Sequence, residues 1–327
     1  MNLIRRCAIT VLFLLGLIAL SFPIRSVLAA AEDYPTKPIM LYYGMPPGAT
    51  TGISGQIFAD VMKNYLVKPQ PVMVVSKPGA ASMVCADYIT KQPADGYTLF
   101  WNGAELPVSL ITDPEKYSFT LEDFSFVGHV LYNPSVLWVR SQSPFKTFEE
   151  FVDYAKKHPG EMTVGTSGIV SPGHLALELM KKVVGINVIH VPFQGGAPAT
   201  LAMLGGHVSA VSLSPGTLMT HLKAGSVRAL TVFDVKRFHD LPDVPTCQEK
   251  GYNVVLRTPM WLAAKKGIPK PVLDTLIRLC KQTVNDPTLQ SNYLRLGFVP
   301  LYMDPEETKK YAYEYGRLIV DLLEVKK

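Results

Sequence analysis

The chain has 327 residues, 48% of them hydrophobic and 18% charged, a balance that fits packed globular domains and excludes a disordered chain. Its formal net charge of +5 includes Arg5, Arg6 and Arg25 of residues 1–31, a segment with no acidic residue. Without that segment the charge falls by three to +2, which leaves no electrostatic case for a nucleic-acid partner.

Arg5 and Arg6 precede an uncharged apolar run over 7–22, and Val27-Leu28-Ala29-Ala30-Ala31 closes the segment with small residues. This is the layout of a cleaved secretory signal peptide, with cleavage after Ala29 or Ala31 fitting equally well. The run is shorter than the ~20 residues a membrane-spanning helix needs. Cys7 precedes the apolar core and is badly placed for a lipoprotein site, so the mature protein is expected in the periplasm. Cys85, Cys247 and Cys280 remain, an odd number without CxxC or Cys/His metal spacing. Three packed thiols are expected, and the spacing does not say whether a pair could bridge.

Beyond residue 34, strand-like and helix-like segments alternate, as in parallel sheets with crossover helices. Residues 39–43 read as the first strand. Met45-Pro46-Pro47-Gly48-Ala49-Thr50-Thr51-Gly52 reads as a loop before a helix with Ile57, Val61 and Tyr65 on one face. Strands are expected at 72–75 and 97–101, with a helix ending near Gln92 between them. Residues 126–139 read as extended structure broken at Asn133-Pro134, a candidate crossing between domains. Thr147 and Glu150 form a capping box that opens a helix ending near His158.

A strand then ends at Val164, followed by a loop of small and hydroxyl residues, Gly165-Thr166-Ser167-Gly168-Ile169-Val170. Ser171 is a good N-cap and Pro172 a good first helical residue, and Leu175, Leu179 and Val183 continue at a spacing of four. A small-residue loop at a helix N-terminus favours an anion, because free N–H groups and the positive dipole end converge there. An ordinary strand-to-helix connection is the alternative. Further on, strands are expected at 188–191, 208–213 and 229–232 and helices at 197–204 and 217–224. A second extended crossing is read at 254–264. Two helices, a strand at 299–302 and a last helix capped by Asp304 complete the chain.

The residues were also tested for chemistry. Gly165-Thr166-Ser167-Gly168 is not G-x-S-x-G, no GxGxxG or P-loop occurs, and the histidines show neither HExxH nor paired metal spacing. No cofactor or metal is expected, and His174 is the one candidate base.

Several runs resemble the substrate-binding proteins of tripartite tricarboxylate transporters, the Bug or TctC family. They are Tyr34-Pro35-Thr36-Lys37-Pro38, Lys77-Pro78-Gly79-Ala80, Pro93-Ala94-Asp95-Gly96-Tyr97, Ser171-Pro172 with His174, Val191-Pro192-Phe193-Gln194-Gly195, and Leu241-Pro242-Asp243-Val244-Pro245-Thr246. The resemblance implies a type II periplasmic binding-protein fold, two α/β lobes with a ligand cleft between them. Lobe 1 is expected over 32–131 and 256–327, lobe 2 over 132–255. It also implies a carboxylate held by two loops, integral membrane transporter subunits as partners, and a monomer. Candidate ligand residues are Met45, Pro46, Pro47, Gly48, Ala49, Thr50 and Thr51 in the first loop. The second loop adds Thr166, Ser167, Gly168, Ile169, Val170, Ser171 and His174, with Trp101, Asn102, Phe193, Gln194 and Gly195 beside them. Where the family has Asp, Arg and Asp, this chain has Gly52, Gln56 and Ala202, so an apolar or aromatic carboxylate is expected. Presentation of the ligand to a periplasmic sensor kinase is an alternative role, and an enzyme using His174 a weaker one.

Overall fold

The computed structural model describes residues 34–323; the export segment read at 1–31 lies outside the described residues. The chain forms two sheets. The first contains β1 (Ile39–Tyr43), β2 (Val72–Ser76), β3 (Thr98–Gly103), β4 (Phe124–Asn133), β10 (Thr258–Lys265) and β11 (Val299–Met303), in the order β11-β4-β10-β3-β1-β2. The second contains β5 (Val136–Arg140), β6 (Thr163–Thr166), β7 (Ile189–Pro192), β8 (Ala210–Leu213) and β9 (Val227–Val232), in the order β7-β6-β8-β5-β9. Parallel pairs lie at one end of each sheet. Leu41 of β1 pairs with Val74 and Leu99, and Val164 of β6 with His190 and Ala210. The other pairings, among them β10 with β3 and β4, are antiparallel. Two lobes result, each a sheet with helices packed on it.

The sequence explains these elements locally. Ile39, Leu41 and Tyr43 alternate into the core of β1. The capping box forms as expected: Glu150 N–H donates to Thr147 Oγ1 at 3.2 Å and Thr147 N–H to Glu150 Oε2 at 3.3 Å, opening α4 (Phe148–Lys157). Asp304 and Glu307 do the same for the last helix, α10 (Pro305–Leu322). Two differences from expectation bear on the site. Gly48, at φ 84°, turns the chain, so α1 (Thr50–Met62) already starts inside the stretch read as loop, and Thr50 and Thr51 form its first turn. A helix not read from the sequence, α3 (Glu105–Thr112), follows β3. It is too short for periodicity to reveal, and Pro107 in its first turn disguises it.

The chain passes between sheets after β4 and again between β9 and β10. The two crossings are tied together, with Phe233 N–H donating to Ser135 O at 2.9 Å and Leu256 N–H to Phe233 O at 3.1 Å. Arg257 Nε donates to the buried Asp234 carboxylate at 2.6 Å and its guanidinium lies 4.7 Å from the Tyr132 ring centroid. Helix α10 straps both lobes. Ala312 packs in the cluster containing Phe100 and Trp261, whereas Tyr315 and Ile319 pack with Leu137 and Leu175. Cys85, Cys247 and Cys280 are buried free thiols.

Candidate functional site

Between the lobes lies a cavity of about 760 Å³, within the range of small-molecule sites. Its walls are built where parallel strands end and helices begin. The first turns of α1 and α3 reach it from one lobe. From the other come the first turns of α5 (Pro172–Val184), α6 (Gly196–Leu204) and α7 (Pro215–Lys223), through residues such as Thr50, Glu105, Ser171, Gly196 and Thr217. Ligands of α/β sheets bind beyond such strand ends. Four of the five helices, α1, α3, α6 and α7, have no side chain capping their N-terminal N–H groups. Only α5 is capped, by Ser171 Oγ accepting from His174 N–H at 3.3 Å. Uncapped N–H donors and dipole ends are each worth about 0.3–1 kcal/mol toward an anion. Among the described residues the lining holds no lysine, arginine or histidine.

The second loop is held by a dense local network. Thr166 Oγ1 and Ser171 Oγ donate to Gly168 O at 3.1 and 2.8 Å, and Gly195 N–H donates to Ser167 O at 3.1 Å. Val170 sits at φ 59°, a costly conformation for a β-branched residue. Its N–H donates to His174 Nδ1 at 3.0 Å, so that nitrogen carries no proton. The His174 ring stacks on His190 at 4.0 Å, its Nε2 lies 3.7 Å from Glu178, and burial lowers its pKa. His190 is pushed down to about 4, first by burial and then by His174. His174 therefore braces the loop from behind.

Of the residues read from the sequence, Met45, Ala49, Thr50, Thr51 and Ser167, Gly168, Ile169, Val170 and Ser171 line the cavity. Pro46, Pro47 and Gly48 form an exposed turn at its edge, and Gln194 is exposed with Gly195 beside it. Trp101, fully buried, supports the floor: its Nε1 donates to Ser54 Oγ at 3.2 Å, and Ser54 faces the cavity. Asn102 and Thr166 are buried behind the wall, the latter against His190 Nε2 at 2.7 Å. Phe193 packs in the apolar cluster under β7. At Gly52 a Cβ would meet Tyr43 Oη at 2.6 Å, so the tyrosine occupies the space a side chain would need. Gln56 points to solvent and bonds Asp60 at 3.1 Å. The sequence did not single out Glu105, Asn133, Leu131, Met260 or Phe298, all in the lining. The position of Glu105 directly after strand β3 was the one available signal, and it needed helix α3 to be seen.

Two lobes joined by paired crossings, with a cleft furnished by helix N-termini, define a solute-binding receptor. The chain belongs to the tripartite tricarboxylate transporter family receptors: residues 56–322 match the TctC family model. The protein from the gbd 5′ region of Cupriavidus necator is 30% identical over 88% of this chain and 86% of its own length. Protein BugT of Bordetella pertussis is 28% identical over 86% of this chain and 87% of its own. The crystal structure of a TctC solute-binding protein from Polaromonas has a TM-score of 0.78 at 28% identity, covering 89% of this chain and 99% of that one. The family is one of receptors rather than of enzymes. No helix among the described residues is long and apolar enough to cross a membrane.

Proposed function

We propose that this protein is a periplasmic receptor that captures an organic carboxylate between its lobes and delivers it to the integral membrane subunits of a tripartite transporter. The observation that carries this reading is the convergence of five helix N-termini, four uncapped, on a cavity without lysine or arginine. Such a site holds a carboxylate by backbone N–H and hydroxyl donors, chiefly Thr50, Thr51 and Ser167, without the desolvation cost of a buried cation. Met45, Leu131, Val170, Met260 and Phe298 suit an apolar or aromatic body. The paired crossings act as the hinge between a first lobe of residues 32–131 and 256–327 and a second of residues 132–255. The receptor acts as a monomer, does no chemistry on its ligand, and its first 31 residues serve export.

Thermal unfolding over a panel of carboxylic acids tests this. A cognate acid at one hundred times its Kd adds about 2.7 kcal/mol of stability and is recovered unchanged after denaturation. Stabilisation only by uncharged or purely cationic compounds would sink the proposal.

A further inference from the structure

The cavity contains one ionisable group among the described residues, and it is an acid. Glu105, in the first turn of α3, lines the cavity; among the described residues it forms no ion pair and no hydrogen bond to another side chain, its carboxyl bonding only its own backbone N–H. Asn133 lines the same space, but its Oδ1 is shielded from it, which leaves Glu105 as the acceptor. Glu105 offers acceptors, whereas the N-termini of α5, α6 and α7 on the other lobe offer donors. The site is therefore dipolar. An unpaired carboxylate in a cavity is costly, and a plain anionic ligand would place a second negative charge beside it. Burial already raises the Glu105 pKa, a penalty that an incoming cation removes.

Resting on the receptor reading above, we propose that the cavity selects a carboxylate that also carries an ammonium group, with Glu105 as the ion-pair partner. The carboxylate meets the helix N-termini, the ammonium meets Glu105, and the apolar wall covers the carbon chain between them. Charge neutrality is reached only with such a ligand bound.

Isothermal titration of the full mature protein with linear carboxylic acids of graded length tests this, the far end being a methyl, a carboxylate or an ammonium group. The ammonium-ended acid of best length binds at least about tenfold tighter than its methyl- or carboxylate-ended counterpart, the scale of one charge-assisted hydrogen bond. Glu105→Gln, which keeps the shape and removes the charge, abolishes that preference. If this variant does not fold, the wild-type ranking decides alone. A preference for the methyl- or carboxylate-ended acids, or an ammonium preference that survives Glu105→Gln, overturns the inference and leaves the carboxylate receptor standing. Failure of every acid in the series to bind overturns the inference, and the thermal-unfolding panel then decides the receptor reading separately.

Discussion

Val170 shows how the second loop trades local strain for a binding surface. A valine in the left-handed region costs about 1–2 kcal/mol, yet its side chain is 46% exposed and Ile169 beside it 73% exposed. The strain turns both apolar side chains toward the cleft, and the His174 Nδ1 acceptor holds the turn. That bond requires a neutral imidazole, which links the loop to pH. Burial holds His190 and His129 down from the usual 6.5 to about 4 in the native protein. Between those values the unfolded chain binds protons that the native one refuses, so stability is full above pH 6.5 and falls as pH drops toward 4. Urea midpoints measured across that range should decline, and the double variant His129→Gln, His190→Gln should flatten the slope. A wild-type midpoint that rises on acidification would contradict this assignment.

Among elements, the helix N-termini furnish the cavity walls, and the sequence disclosed them unevenly. Ser171 and Pro172 announced α5 because capping is local chemistry, and the loop before it was legible for the same reason. Helix α3 was not, since eight residues give no reliable period and Glu105 gains meaning only when distant elements meet it. Trp101 was read as a cleft wall and serves instead beneath the floor. Leu99, Phe100, Trp101 and Asn102 are all buried, so β3 has no solvent face and alternation cannot tell cleft from core. The first turn of α7 also makes a contact that no motif signals. Gly216 meets the backbone of Leu296 and Gly297, where the turn after α9 (Pro287–Arg295) crosses from the other lobe. Gly297 has φ 86°, and a Cβ there would strike the Gly216 backbone. Gly297→Ala should cost about 1–2 kcal/mol of stability and, separately, weaken ligand binding at least about tenfold by holding the lobes apart. Calorimetric affinity equal to wild type would show that this contact plays no part in closure.

At the scale of the molecule, the fold was legible because its organisation is repetitive. Alternating strand–helix units between two extended crossings describe two sheets whatever the details, and the observed sheets divide at β4/β5 and β9/β10. Less legible was the role of α10, which appeared as one amphipathic helix of the first lobe but packs into the cores of both. Its strap and the Asp234–Arg257 pair tie the two lobes together at the crossings, where the proposed hinge lies. The same global arrangement brings five helix ends and one acidic side chain to a single cavity. Each feature is weak alone; together they support the proposed carboxylate trap, whose lining holds no basic residue among the described residues. Mass spectrometry of the small molecule released from freshly purified, undialysed protein tests this most directly. The predicted result is an intact organic acid bearing a carboxylate, released in near-equal amount to the protein. Release of a neutral or purely cationic compound, or of a reaction product, would contradict it.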